Sequence, residues 1–192
     1  RVFERWWDVI IAVDGPAGAG KSSVTNAIAK RMGLQRLDTG ALYRAIALAA
    51  DGAGMTIETE GLRAFVAMTD VQFRDGEVWL NGINVSEQIR TERVSGLASS
   101  FASSPAVRDG LLQLQRNVAA QGHHIVDGRD IGTVVFPNAE VKLFLTASVD
   151  ARAQRRYLEY ANRPDAPSLE TIKARIESRD LADSKRAIAP LA

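Results

Sequence analysis

The residues with the clearest chemistry in this chain form a glycine-rich run that ends in a lysine and a serine. The run matches G-x-x-x-x-G-K-[ST] at every fixed position and consists of Gly15, Pro16, Ala17, Gly18, Ala19, Gly20, Lys21 and Ser22. Glycines let the backbone turn its N–H groups toward phosphate oxygens, the lysine reaches the β- and γ-phosphates of a nucleotide, and the serine hydroxyl can ligate Mg²⁺. A chance glycine-rich turn between a strand and a helix is the alternative. The pattern predicts a binding site for ATP with Mg²⁺.

A second group of candidate residues follows two further predicted strands. Thr39 precedes a helix that carries Arg44, and Asp127, Arg129 and Asp130 follow an apolar strand. A helix N-terminus attracts anions, guanidinium groups bind phosphate oxygens, and open α/β sheets bind ligands beyond the carboxyl ends of their strands. Arg44 could instead lie on a solvated helix face. We expect these residues to bind a second anionic ligand.

Other polar residues allow more than one interpretation. The histidine pair at positions 123–124 looks like a metal site, but neighbours in a strand point to opposite faces, so one ion would have difficulty binding both. Arg152, Arg155 and Arg156 recur at helical spacing, as solubility groups or as part of a closing lid. Arg108 lies near the N-terminal end of its predicted helix, where a cation is unfavourable, which indicates a fixed anionic or hydrogen-bonding partner.

Composition limits the classes of partner. Lys and Arg total 24 against 23 for Asp and Glu, and the net charge of +1 gives no general attraction for nucleic acid or anionic membranes. The absence of cysteine excludes disulfides and thiolate metal sites. Neither a membrane-spanning run nor a signal peptide pattern is recognisable. We expect a cytoplasmic monomer that acts on small molecules, without a nucleic-acid or membrane partner, and assign no role to residues 1–7.

The elements that would position these residues alternate between strands and helices. Core strands are predicted at residues 9–13, 34–37, 123–126 and 141–145. Helices are predicted after the phosphate loop, at 41–50, around 62–66, at 92–101, at 105–121, after Ser148 and at 168–179. Between the helices around 62–66 and at 92–101, the hydrophobicity pattern of residues 71–85 has a period of 2. Turn dipeptides at 75–76 and 81–82 interrupt it, which predicts two antiparallel hairpins.

The helix faces can also be predicted from residue spacing. Val24, Ala27, Ile28 and Met32 fall at helical spacing in the first helix, which Gly33 should end. Val107, Leu111, Leu114 and Val118 form the expected buried stripe of the helix at 105–121. Residues 179–186 alternate in charge too regularly to be a core element.

The predicted fold class is α/β: a P-loop NTPase parallel sheet flanked by helices, with a small antiparallel β insertion and a helical lid. Residues 8–192 would form a single domain. Its core would be residues 8–55 and 122–192, with the insertion at about 56–121 and the lid at about 152–168.

Taken together, the phosphate loop, Thr39-Gly40 with Arg44, and Asp127-Gly128-Arg129 resemble the nucleoside monophosphate (NMP) kinases. This resemblance implies that residues 8–192 form a P-loop kinase domain and that the antiparallel insertion is its NMP-binding region. Three further features are similar to the bacterial cytidylate kinase family in particular. They are residues 128–137 (GRDIGTVVFP), the hairpin insertion, and a C-terminal group with Arg179-Asp180, Asp183, Ser184, Arg186 and Pro190-Leu191. The likeness runs from about Val9 to the last residue.

This resemblance implies roles for individual residues. ATP would bind residues 15–22, and Ser22 would ligate Mg²⁺ while Asp127 holds the metal's waters. The acceptor's phosphate would contact Thr39, Arg44, Arg129 and Arg186. The cytosine edge would contact Ser99, Arg108 and Asp130, and the ribose would lie near Arg179 and Asp183. The catalytic charges would be Lys21, Arg129, Arg186 and the lid residues Arg155 and Arg156.

The implied reaction transfers the γ-phosphoryl group of ATP to CMP or dCMP. Alternatives are a P-loop small-molecule kinase that acts on UMP, shikimate or a coenzyme precursor, and a P-loop ATP-binding regulator. In one respect the chain departs from the family pattern, which has a fifth core strand and a closing helix after Pro190-Leu191. Without them we expect the fourth strand to form an exposed apolar edge, and we expect that residues are missing from the sequence.

Overall fold

The structure is a computed structural model that describes residues 9–74, 76–120, 122–160 and 166–191. The flank at residues 1–7, Asp75 of the first predicted turn, the predicted helix end at Gln121 and residues 161–165 of the predicted lid lie outside the described residues.

Strands and helices alternate along most of the chain. The strands are β1 (Ile10–Asp14), β2 (Gln35–Asp38), β3 (Val71–Arg74), β4 (Glu77–Leu80), β5 (Ile83–Asn84), β6 (His124–Asp127) and β7 (Val141–Phe144). The helices are α1 (Lys21–Met32), α2 (Thr39–Gly52), α3 (Leu62–Met68), α4 (Glu92–Phe101), α5 (Pro105–Ala119), α6 (Val149–Tyr160) and α7 (Leu169–Lys185). A 3₁₀ turn at Gln88–Arg90 and a π-helical turn at Ile131–Val135 complete the described elements.

The core sheet has the strand order β2-β6-β1-β7 and all of its pairs are parallel. Its register aligns Val13 of β1 and Asp38 of β2 with Asp127 of β6. The strands therefore end at one edge, where the loops that follow them must carry the ligand site. A separate antiparallel sheet has the order β3-β4-β5 and forms the predicted hairpin insertion. The predicted α/β class is confirmed.

The main core lies between the parallel sheet, helix α2 and the helices of the insertion. Its largest fully buried apolar side chains include Leu37, Leu42, Ile46, Val107, Leu111, Val126 and Ile131. Helix α2 is buried along much of its length because alanine and leucine let it pack closely against α4 and α5. This packing fixes the insertion helices against the sheet edge that carries the site.

The buried face of α1 differs from the predicted one. Gly33 ends the helix with φ 68° as expected, but Val24 and Met32 are exposed. The buried residues are Lys21, Thr25 and Ala29, one helical turn apart. This face is polar at its start because it lies against the phosphate loop and the end of β6 rather than against an apolar layer.

Other helix predictions are confirmed in part. On α5, Val107 and Leu111 are buried as predicted, whereas Leu114 and Val118 are only partly buried. Ser148 caps α6 by accepting a hydrogen bond from Ala151 N at 3.2 Å, as predicted.

The predicted end of the last helix at Arg179 is wrong, because α7 continues to Lys185 through most of the charged segment at 179–186. Asp183 is buried and pairs with Arg129, and Asp180 pairs with Arg152. Alternating charges can therefore belong to an inward-facing helix when partners on other elements satisfy them.

Strand β7 forms one edge of the described parallel sheet, as expected. Val141, Leu143 and Phe144 are each at least two-fifths exposed, so the edge is apolar on its outer side. Among the described residues, no helix combines the length and the apolar character that a bilayer crossing needs.

We expect Gly15→Ala to lower the free energy of unfolding by about 3 kcal/mol. A Cβ at Gly15, whose φ is 147°, would lie 2.0 Å from the backbone oxygen of Leu145, which cannot move without disturbing the sheet. Urea unfolding measures the change. The control is Gly96→Ala in α4, where nothing lies within 4 Å of the new Cβ. That change should raise stability by about 0.5–1 kcal/mol. Equal effects of the two substitutions would contradict the packing at Gly15.

Candidate functional site

A cavity of about 830 Å³ opens at the carboxyl edge of the parallel sheet. The predicted site residues that line it are Ala17, Gly18, Ala19, Gly20, Lys21, Ser22, Thr39, Arg44, Ser99, Arg108, Asp127, Arg129, Asp130, Arg155, Arg156, Arg179, Asp183 and Arg186. Gly15 and Pro16 do not line it, but their carbonyl oxygens contact Lys21. The structure thus brings together residues that are up to 169 positions apart in the sequence.

The phosphate loop is closed around its own lysine. Lys21 is 7% exposed, and its Nζ donates to Gly15 O at 2.6 Å and to Pro16 O at 2.9 Å. Burial and the neighbouring Arg129 lower the pKa of Lys21 to about 7. An anion bound in the loop would raise this lowered pKa again, because a nearby negative charge stabilises the protonated form of Lys21.

Three arginines that line the cavity each have one buried guanidinium nitrogen without a hydrogen-bond partner among the described residues. These atoms are Arg44 Nε, Arg179 Nε and Arg186 Nη2. Burial and Arg129 lower the pKa of Arg179 to about 10, and burial and Arg108 lower that of Arg186. Buried donors without acceptors are costly, so the arrangement fits an anionic ligand with several oxygens, such as a phosphate.

Neighbouring residues hold these cations in place. Arg129 Nε donates to Asp183 at 2.8 Å, and Arg44 Nη2 donates to Asp38 at 3.2 Å. Arg44 therefore faces the site, and its interpretation as a solvated surface residue is wrong. Thr39 Oγ1 donates to Asp127 O at 2.8 Å, which joins the start of α2 to the end of β6.

At the other end of the cavity, Arg108 has the fixed partner that its position on α5 predicts. Its Nη2 contacts Asp130 Oδ2 in a pair whose side chains are 8% and 6% exposed. Asp130 Oδ1 lies 3.7 Å from Arg186 Nη2, beyond hydrogen-bond distance. The Arg108 guanidinium lies 5.8 Å from the ring centre of Tyr43. This end offers a carboxylate, a guanidinium and an aromatic face to a planar polar ring.

The candidate metal ligands Ser22 and Asp127 lie close together near the phosphate loop. Arg36 Nη2 is 3.1 Å from Ser22 Oγ and 2.8 Å from Asp127 Oδ1, so one positive group reaches both. Burial and the nearby Asp38 raise the pKa of Asp127 to about 6. Of the predicted histidine pair, His124 is buried and its Nδ1 lies 2.5 Å from Gly122 O.

The arginines of α6 differ in their surroundings. Arg155 and Arg156 line the cavity, whereas Arg152 is buried and pairs with Asp180 of α7. Arg152 Nη1 also donates to Ala17 O of the phosphate loop at 3.1 Å. Its interpretation as a solubility group is therefore wrong. Arg152 instead joins the phosphate loop to the hairpin formed by α6 and α7.

Sequence reasoning missed Asp14 and Arg36. Asp14 ends β1, and its two carboxylate oxygens accept from Ile131 N and Gly132 N, both at 2.8 Å. It thereby fixes the turn that directly follows Asp130. Arg36 lies two residues before Asp38 on a strand. Residues two apart share a face, so this spacing was the signal that could have placed Arg36 at the site.

Comparison with known proteins gives a consistent result. The sequence model of a family described as "Cytidylate kinase" matches residues 11–192. Among curated relatives, a cytidylate kinase from Geobacter sp. (strain M21) is 49% identical and one from Pasteurella multocida is 48% identical. These alignments cover 95% of this chain and 81% and 83% of the relatives.

Similarity to solved structures is weaker. A shikimate kinase from Acinetobacter baumannii in complex with shikimate covers 93% of this chain and 76% of its own. Its identity is 16% and its TM-score is 0.44, which is too low to bear on function.

We expect Asp14→Asn to lower the free energy of unfolding by about 1–3 kcal/mol. An amide NH₂ in place of one carboxylate oxygen would face a buried N–H donor at Ile131 or Gly132, and that donor would lose its acceptor. Denaturant titration measures the loss. The matched control is Asp109→Asn, which removes a charge from a largely exposed pair with Arg63 and should change stability by less than about 0.5 kcal/mol. Equal losses in the two variants would contradict the positioning role of Asp14.

Proposed function

The chain belongs to the cytidylate kinase family, and from that premise we propose how its residues transfer the γ-phosphoryl group of ATP to CMP or dCMP. The products are ADP and CDP or dCDP. The observation that carries the residue assignment is the set of groups that share one cavity. The phosphate loop, the Arg108–Asp130 pair and three arginines line it, and each of these arginines has a buried nitrogen without a hydrogen-bond partner among the described residues.

ATP binds with its phosphates in the loop formed by residues 15–22. Lys21 exchanges the carbonyl oxygens of Gly15 and Pro16 for oxygens of the β- and γ-phosphates. The backbone N–H groups at the start of α1 contribute further positive potential. Arg152 holds the loop at Ala17 O, so the loop is positioned before the nucleotide arrives.

The acceptor binds across the middle and far end of the cavity. Thr39, Arg44, Arg129 and Arg186 take its phosphate, and Arg179 and Asp183 take its ribose. Ser99, Arg108 and Asp130 read the cytosine edge. Asp130 accepts a hydrogen bond from the 4-amino group, because its Oδ1 has no short contact with Arg186, and Arg108 donates to the carbonyl side of the ring.

The chemical step needs no general base. A phosphate monoester has a second pKa of about 6, so the attacking oxygen is already largely ionised at neutral pH. Catalysis therefore consists of in-line positioning and charge neutralisation. Lys21, Arg129 and Arg186 surround the transferred group, and Arg155 and Arg156 approach it from α6. Closure of the lid at residues 152–168 over the insertion at 56–121 would exclude water as a competing acceptor.

The residues present fit a Mg²⁺ site. Ser22 supplies a hydroxyl and Asp127 a carboxylate, and the proposal is supported by Arg36 Nη2, which lies 3.1 Å from Ser22 Oγ and 2.8 Å from Asp127 Oδ1. Mg²⁺ in kinases is held by one or two protein oxygens, substrate phosphates and water, which matches this sparse set. When bound, the metal would offset the negative charge of the β- and γ-phosphates. Ser22 would ligate it, and Asp127 would orient its waters.

The proposal includes a monomeric, cytoplasmic enzyme with small-molecule partners. Its net charge of +1 gives no long-range attraction for nucleic acid or an anionic membrane.

A coupled assay of ADP production over a panel of nucleoside monophosphates and shikimate tests the function. We expect turnover with CMP and dCMP, and a reduction of about 10²–10³-fold in Lys21→Ala, which deletes a preorganised charge aimed at the transition state. Circular dichroism checks that the variant is folded. Near-normal turnover by a folded Lys21→Ala variant would contradict the catalytic role of Lys21. ADP release without any acceptor would favour a regulator over a kinase.

The choice of base depends on Asp130. UMP carries a carbonyl where CMP carries an amine, so it would place an oxygen against the Asp130 carboxylate. A site of buried polar groups rejects such a mismatch by up to about 10⁴–10⁵-fold. Asp130→Asn should lower kcat/KM for CMP and narrow its ratio to that for UMP, since an amide can turn a donor to the uracil oxygen. An unchanged ratio would assign cytosine recognition to other residues.

A further inference from the structure

Arg36 is the one arginine of β2, and its guanidinium lies between the two residues that the proposed function assigns to Mg²⁺. Its Nε is 2.9 Å and its Nη2 is 2.8 Å from Asp127 Oδ1. Nη2 is also 3.1 Å from Ser22 Oγ. The same Nε–H also reaches Thr25 Oγ1 at 2.8 Å, and Thr25 is fully buried. The guanidinium is therefore held by groups from two other elements, α1 and β6.

We propose that in the nucleotide-free enzyme Arg36 occupies the cation position between Ser22 and Asp127, and that it moves aside when Mg²⁺ binds with the nucleotide. This inference rests on the proposed function, because it takes Ser22 and Asp127 as the magnesium residues. It adds that the site has a resident cation, supplied by the chain itself, with which the metal competes.

Geometry and charge both oppose simultaneous occupancy in the observed arrangement. Mg²⁺ requires six oxygen ligands at about 2.0–2.1 Å and keeps several of its waters. Arg36 Nη2 lies 3.1 Å from Ser22 Oγ and 2.8 Å from Asp127 Oδ1, so it contacts the two oxygens that the proposed function assigns to the metal and its waters. An arginine cannot lose its proton at any pH in the working range. The repulsion between the two cations can therefore be relieved only by movement of the side chain.

The structure also offers Arg36 a second partner. Its Nη2 lies 3.6 Å from Asp38 Oδ2, and Asp38 follows it by two residues on the same face of β2. A small rotation toward Asp38 would keep the guanidinium paired while it leaves Asp127 and Ser22. The side chain is 19% exposed, so its path is not blocked by the core. Removing Arg36 should therefore favour the metal, since the competing cation is lost.

A purely supporting role for Arg36 predicts the opposite result. If the guanidinium serves only to orient Asp127 for the metal, its removal should weaken metal binding. The sign of the change in metal affinity decides between the two roles, and this measurement does not depend on turnover.

The first experiment uses Mn²⁺, which shares the oxygen-ligand preference of Mg²⁺. The free-ion electron paramagnetic resonance signal is followed while Mn²⁺ is titrated into protein saturated with ADP. We expect Arg36→Gln to lower the Kd for Mn²⁺ by about fivefold or more, a typical size for a coupling between two sites. Arg31→Gln, the same charge change at an exposed position near the end of α1, should alter it by less than about twofold.

The outcomes separate this inference from the proposed function. If the parent binds Mn²⁺ with ADP but Arg36→Gln has an unchanged or higher Kd, competition by Arg36 is overturned while the metal site stands. If the parent binds no Mn²⁺ in the presence of ADP, the metal site fails and the inference fails with it.

A second measurement uses the parent protein and does not require Arg36→Gln to fold. The arginine Nε–H signals are recorded by ¹⁵N nuclear magnetic resonance, and the signal missing in Arg36→Lys is assigned to Arg36. Addition of Mg²⁺ to the ADP complex should shift that signal, because Nε leaves Asp127 and Thr25, and EDTA should restore it. A signal that does not respond to Mg²⁺ would overturn the proposal.

Discussion

The alignment of three acidic strand ends is the constraint on which the site depends. Strands β1, β2 and β6 end in Asp14, Asp38 and Asp127, and the parallel register brings these ends to one edge of the sheet. Such a concentration of buried acids would be strongly unfavourable without compensation. Each acid is satisfied differently: Asp14 by backbone N–H groups, Asp38 by the start of α2 and Arg44, and Asp127 by Arg36. The contacts that compensate these three carboxylates thus also position the loops and helix ends around the cavity.

The same constraint explains why the cavity is rich in cations. Arginines reach it from α2, α5, α6, α7 and the segment after β6, and several are held by acids rather than exposed to solvent. Where an acid is available, the pair stabilises the local structure. Where a buried guanidinium nitrogen has no partner among the described residues, as in Arg44, Arg179 and Arg186, positive potential remains for the ligand that the proposed function places there. The surroundings of each arginine thus separate structural pairing from the proposed substrate binding.

The sequence predicts the fold and most of the site residues because their signals are local. The phosphate loop, the period-2 insertion and the glycine at the end of α1 each depend on backbone chemistry within a few residues. Interactions between distant segments were harder to predict. Three examples depend on register and packing between elements. The backbone N–H groups of Ile131 and Gly132 donate to Asp14, Arg36 donates to Ser22, and Arg152 is buried beside the phosphate loop. Helix α7 was predicted too short for the same reason, since its inward charges look solvated until their partners are known.

The hairpin of α6 and α7 connects parts of the cavity that the proposed function assigns to different substrates. Arg152 ties it to the phosphate loop, and α7 also carries Arg179 and Asp183, which line the same cavity. Glu92 of α4 extends the connection, because it accepts from Tyr160 and Arg175 of the same hairpin. Under that assignment, a shift of the hairpin that favours one substrate would alter the affinity for the other, and thermodynamic reciprocity makes the two effects equal. The proposed donor and acceptor sites would then share one mechanical support, and their affinities would evolve together.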